Sequence, residues 1–144
     1  MFCAIMQPTY LPWTGYFHLI DSVEKFIFLD NVKLERSSWQ VRNRIKTPEG
    51  ELYLTVPVKN KDGRMKTLIC NAKIDHRKPW VKKHLKSLFY NYQKSDFFSE
   101  VYPFIEEILS KKIQLLSELN IHIIERICQK IGINVEFIVS SKLH

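Results

Sequence analysis

The chain predicts an α/β fold: three layers around a mostly parallel sheet that starts with a β-α-β unit, with a β-hairpin insertion and a helical C-terminal half. Three observations predict it. Two short apolar runs, Phe2 to Met6 and Lys25 to Leu29, are separated by a segment whose apolar residues recur at helical spacing. A turn signal at "TPEG", residues 47–50, divides two strand-like stretches. From Lys78 onward the hydrophobic period becomes helical, with two further helical segments before Gly132.

Each element has a local cause. Phe2 to Met6 is too short for a helix and is stopped by Gln7 and Pro8, so it reads as a buried strand. From Gly15 to Glu24 the positions Tyr16, Phe17, Leu19, Ile20 and Val23 share one helical face; Lys25 to Leu29 then forms a second apolar strand, ended by Asp30 and Asn31. If these strands are neighbours, the crossover makes them parallel, and the stretches Gln7 to Thr14 and Asp30 onward leave the same sheet edge. Ligands of open α/β sheets bind at that carboxyl edge. Val41 to Ile45 and Glu51 to Val56 are the hairpin strands, Lys59 to Gly63 is a turn-rich loop, and Thr67 to Ile74 reads as another strand.

The next helix starts near Lys78, with Pro79 suited to its first turn and Trp80, Val81, His84, Leu85, Leu88 and Phe89 on its apolar side. Helices follow over Phe98 to Ser110 and Ile113 to Ile131, the second closed by Gly132 in the C-cap position. Asn134 to Val139 is the last strand. The sequence stops soon after it, an ending expected of a fragment of a longer polypeptide as much as of a compact domain.

The 144 residues, 45% hydrophobic and 26% charged, suit a single folded domain that buries roughly two thirds of the surface its unfolded chain exposes. No repeat, linker or apolar stretch of membrane-spanning length interrupts residues 1–144. The net charge of +7 favours an anionic partner such as a nucleotide, sugar phosphate, nucleic acid or anionic membrane. Cys3, Cys70 and Cys128 are odd in number and lie in apolar segments without C-x-x-C spacing, so free buried thiols in a reducing cytosol are expected.

Three constellations carry candidate chemistry. In "MQPTYLPWTGYFHLI" the prolines Pro8 and Pro12 restrict the strand-to-helix path, Gly15 permits close approach, and Tyr10, Trp13 and Tyr16 offer flat faces with polar tips. The same pattern also fits a hydrophobic plug. There is no G-x-x-x-x-G-K-[ST] and no G-x-G-x-x-G. The stretch distantly echoes the H-x-G-H junction of nucleotidylyltransferases, but Thr14 and Tyr16 fill the histidine places, which argues against histidine-assisted transfer.

In "DNVKLERSSWQVRNRIK" Lys33, Arg36, Arg42, Arg44 and Lys46 surround Trp39, combining phosphate-seeking guanidiniums with a stacking surface. Strand alternation puts Arg42 and Arg44 on one face and Val41, Asn43 and Ile45 on the other. In "IDHRKPWVKKHLKSLFYNY" His84 shares a helix face with Trp80 and Leu88. Such a histidine serves either as an acid/base group or as a hydrogen-bonded core residue. His18, His76 and His122 form no metal-ligand spacing with it, so no zinc site is expected; no cofactor is expected either.

"MQPTYLPWTGYFHLIDSVEKFIFLDNVKLERSSWQVRNRIK", followed by "LYLTVPVK", resembles the WbqC-like family of bacterial surface-polysaccharide and O-antigen biosynthesis, and the resemblance extends through nearly the whole chain. Asn31, Lys33 and Val41 depart from the aspartate, glutamine and asparagine usual in the family, whose members also run beyond this C-terminus. The resemblance implies work on a nucleotide-activated or lipid-linked sugar, with transfer of an amino-acid or acyl group to an amino sugar, alongside a second enzyme of the pathway. On this expectation Gln7 and Asp30 bind sugar or ribose hydroxyls, and Thr9, Tyr10, Trp13, Tyr16, Trp39 and Asn43 complete the substrate site. Arg42 and Arg44 bind phosphate, and Asp30 or His84 is the general base. A basic, aromatic nucleic-acid-binding module and a non-catalytic, partner-binding remnant are the alternatives.

Overall fold

The computed structural model describes residues 1–35, 37–59 and 67–143. Strand β1 (Cys3–Met6), helix α1 (Thr14–Asp21) and strand β2 (Lys25–Phe28) form the expected β-α-β unit. The last strand, β5 (Glu136–Val139), joins the far side of β2, giving a parallel sheet in the order β1-β2-β5. Ala4 lies opposite Phe26 and Met6 opposite Phe28; across the next ladder Phe26 faces Phe137 and Phe28 faces Val139.

The alternation of the strands sends these residues to one face, where α1 and α4 (Leu116–Ile131) cover them. Phe26 and Phe28 are fully buried there, against Tyr16 and Phe137. Each contributes about 2–3 kcal/mol by leaving water.

Strands β3 (Arg42–Thr47) and β4 (Gly50–Thr55) make the antiparallel hairpin, with Gly50 at φ 119°, a backbone conformation that L side chains avoid. Helices α2 (Trp80–Tyr92) and α3 (Phe98–Ser110) complete a second apolar cluster with the hairpin and α4. Consecutive residues of α4 serve different clusters: Ile123 packs among Tyr10, Trp80 and Leu109, and Ile124 against the sheet. A rotation of about 100° per residue allows this. Gly132, at φ 80°, ends α4 as its sequence position predicts.

Two segments differ from expectation. Thr67 to Ile74 is not a continuous strand but a 3-10 turn over Ile69–Asn71, flanked by single bridges Lys33 to Leu68, Val58 to Ile74 and Lys73 to Leu115. Its amides serve several neighbours, with Ile69 N–H donating to Val32, Cys70 N–H to Asp30 and Ile74 N–H to Gln114, so no single ladder forms. Because Gln114 and Leu116 are engaged with this segment, the final helix starts at Leu116 rather than Ile113.

The cysteines are free, but only Cys128 is buried; Cys70 is half-buried and Cys3 exposed. The turn residues Asn60 to Gly63, and Arg36 of the basic cluster, lie outside the described residues. Among the described residues no helix is long and apolar enough to cross a membrane.

Candidate functional site

The loop between β1 and α1 is held from several directions. The Tyr16 hydroxyl donates to the Gln7 carbonyl at 2.9 Å, Tyr10 N–H donates to the Trp39 carbonyl at 2.9 Å, and the Asn43 amide donates to the Tyr10 and Leu11 carbonyls at 3.2 and 2.6 Å. From below, the buried Asn120 amide donates to the Pro8 carbonyl at 3.1 Å and the Gln40 carbonyl at 2.8 Å. The two prolines have no N–H to give, so apart from the Tyr10 amide it is the loop's carbonyls that carry its attachment. Tyr10 and Tyr16 are buried, as the plug reading expects, whereas the Trp13 side of the loop faces out.

Between this loop, the end of β1 and the start of the hairpin lies a crevice of about 580 Å³. It occupies the carboxyl edge of β1 and β2, as the parallel pairing requires. Gln7, Thr9, Trp13, Tyr16, Trp39, Asn43 and Arg44 line it, so seven of the expected residues come together. Trp13 is 68% and Trp39 47% exposed, leaving indole surface at the mouth. A Cβ on Gly15 would overlap the six-membered ring of Trp13, so glycine there permits the indole to lie back over the start of α1.

Arg44 is the cation of the lining. Its Nη1 contacts both carboxylate oxygens of Glu51 at 2.8 and 2.9 Å, and its guanidinium lies 5.8 Å from the centre of the Trp39 ring. The ion pair is half exposed and worth little stability, which leaves the guanidinium available to a ligand anion.

Sequence reasoning missed Gln40, which is 6% exposed and donates its amide to the Gln7 side-chain oxygen. The Gln40 side-chain oxygen and the Thr9 hydroxyl have no hydrogen-bond partner among the described residues, although both residues line the crevice. Both atoms are shielded from solvent, and leaving them unpaired costs stability. The available signal was position: Gln40 lies between Trp39 and the first hairpin strand.

Four expected residues lie elsewhere. Arg42 shares a strand face with Arg44, as alternation predicts, but its guanidinium lies over the Tyr53 ring at 4.4 Å and it does not line the crevice. Asp30 is 2% exposed, and its carboxylate accepts from the Ser117 hydroxyl at 3.1 Å, the Ser140 hydroxyl at 3.1 Å, the Ser141 hydroxyl at 2.8 Å and Ser141 N–H at 2.9 Å. It ties the end of β2 to α4 and to the residues after β5. Tyr10 and His84 are buried against each other at the hairpin side. Desolvation holds the His84 imidazole down at about 4, against its ordinary 6.5, and pushes the Tyr10 phenol far up. Both groups are therefore neutral at pH 7. No cluster suited to a metal ion occurs among the described residues.

The model of the WbqC-like protein family matches residues 7–144. An uncharacterized protein of Mycobacterium tuberculosis (strain ATCC 25618 / H37Rv), Rv1507c, is 39% identical over 132 residues, covering 91% of this chain and 56% of the relative. The chain thus spans little more than half the length of that relative. No solved structure matches it.

Proposed function

Because the chain belongs to the WbqC-like protein family, we propose that its strand-edge crevice binds a phosphorylated, nucleotide-linked sugar of bacterial surface-polysaccharide biosynthesis. One observation carries the reading: two exposed indoles, the amides of Gln7, Gln40 and Asn43, and the Arg44 guanidinium line a single crevice at the carboxyl ends of adjacent parallel strands. Indole faces suit a base or a sugar ring, amides and the Thr9 hydroxyl suit hydroxyls, and a guanidinium suits phosphate. Nucleotide-linked sugars of this kind place the protein in the cytoplasm.

The crevice supplies binding rather than proton transfer. Asp30 has its carboxylate filled by serine and backbone donors, and His84 has both ring nitrogens engaged. The acyl or amino-acid transfer implied by the resemblance therefore draws from this lining the orientation of the sugar, with the base supplied by another group.

A panel of nucleotide sugars tested by thermal shift and calorimetry decides the matter. A true ligand at a hundredfold excess over its Kd raises Tm by roughly 5–10 °C. Trp13→Ala and Trp39→Ala are expected to weaken it at least tenfold, with Tm of the free protein nearly unchanged. No shift across the panel, or binding indifferent to both tryptophans, overturns the reading. Binding of many single-stranded sequences with a steep salt dependence would favour a nucleic-acid module instead.

A further inference from the structure

Away from the crevice, the corner where α2 turns into α3 exposes apolar side chains that no part of the core explains. Phe97 is 75% exposed, Tyr90 63%, Val101 50% and Phe89 40%. Phe97 also holds φ 61°, a conformation in which an L side chain is strained and which asparagine or glycine adopts at less cost. Beside it, Ile45, Leu88, Phe98, Val101 and Ile105 line an apolar hollow of about 300 Å³. Solvation offers no reason for a strained phenylalanine at such a position.

Behind this corner a groove of about 850 Å³ runs along the helix pair and is edged by Lys78, Lys82, Lys86, Lys111 and Lys112, with Glu106 as the single carboxylate of its lining. None of these lysines has a carboxylate partner within ion-pair distance among the described residues. Two carboxylates stand nearer the corner, Asp96 and Glu100, and Glu100 is paired with Lys130 at 3.2 Å. The surface therefore presents an apolar tip with cations that lack carboxylate partners set back along α2 and at the end of α3, Lys86 lying over the Tyr90 ring.

We propose that this surface docks the protein onto an anionic lipid bilayer, with Phe97, Tyr90 and Val101 entering the headgroup boundary and the groove lysines over the anionic headgroups. Buried apolar area and attraction to anionic lipid act together in such interfacial binding. Two features favour a bilayer over a nucleic-acid strand. Phe89 meets Tyr90 and Tyr102 edge to face at 5.9 and 5.7 Å, and the Lys86 ammonium lies over the exposed Tyr90 ring at 5.6 Å, so these rings offer poor stacking faces to a base. Its cations are all lysines, point charges without the bidentate fork that arginine offers a phosphate.

Vesicle flotation with phosphatidylcholine alone, and with one quarter phosphatidylglycerol, tests the proposal. The protein is expected to float with the anionic vesicles and not with the neutral ones. Lys82→Gln with Lys86→Gln should weaken binding roughly 30-fold, at about 1 kcal/mol for each lysine. Phe97→Asn should weaken it about tenfold while leaving Tm equal or higher, because asparagine relieves the strained φ. The Phe97 readout therefore does not depend on damage to the fold. Equal flotation with both vesicles, no flotation with either, or anionic binding indifferent to Phe97→Asn overturns the proposal. So does a single-stranded oligonucleotide that binds the groove more tightly than anionic vesicles do.

Discussion

The Tyr10 hydroxyl donates to Nδ1 of His84 at 2.8 Å, joining the first loop of the chain to a helix 74 positions later. The other ring nitrogen, Nε2, lies 3.2 Å from the Thr55 carbonyl oxygen. A carbonyl only accepts, so Nε2 carries the hydrogen and Nδ1 is the acceptor of a neutral imidazole. One histidine thereby fixes the loop, the hairpin and α2 to one another.

This pair sets an acid limb of stability. Desolvation lowers the His84 pKa from 6.5 to about 4 in the folded protein. Below pH 6.5 the unfolded chain takes up a proton that the folded chain refuses, so stability is full above that pH and falls as pH drops toward about 4. The loss amounts to about 3 kcal/mol. Urea denaturation between pH 7 and 4 should show it, and Tyr10→Phe with His84→Leu should flatten the limb by removing the titrating group.

Asp30 is expected to matter for stability far more than for ligand binding. Asp30→Ala leaves Ser117, Ser140 and Ser141 without their common acceptor and releases the chain after β5. A loss of about 3 kcal/mol is expected, read as a lower urea midpoint. The affinity of the molecules still folded should stay within twofold of the parent; a tenfold loss at full folding would return Asp30 to the binding site.

Gly15 tests the indole arrangement without altering the core. In Gly15→Ala the new methyl displaces the far end of the Trp13 side chain, which is free to move, while the better helix former offsets part of the cost. Stability should change by less than about 1 kcal/mol. The tryptophan emission should shift, and nucleotide-sugar affinity should fall as for Trp13→Ala.

Asn120 reaches the crevice loop from beneath. Asn120→Ala removes the donor to the Pro8 and Gln40 carbonyls, at a cost of about 2 kcal/mol. Hydrogen exchange should quicken first at Tyr10 N–H, whose acceptor is the Trp39 carbonyl within the same tied region.

Much of this was legible locally. The β-α-β unit, the hairpin, the helical periods and the Gly132 cap follow from short-range patterning, and the parallel direction of β1 and β2 put Gln7, Trp13, Trp39 and Arg44 within reach of one edge. Gln40 was not legible, because a glutamine joins the wall of a crevice only through what packs around it. The segment from Thr67 to Ile74 misled for a related reason: its composition suits a strand, but its amides are claimed by several neighbours.

The sequence by itself determined the β-α-β unit, the hairpin and the helical periods, and with them the sheet edge on which the aromatic loop emerges, since hydrophobic period and turn chemistry are properties of neighbouring residues. Only the tertiary structure decided which polar residues line the crevice and which hold the fold. Tyr10, Asp30 and His84 have the same chemistry in either role. Partners 29 to 111 positions away engage the polar groups of all three, while Trp13 keeps its indole surface open and Thr9 and Gln40 keep a polar atom unpaired.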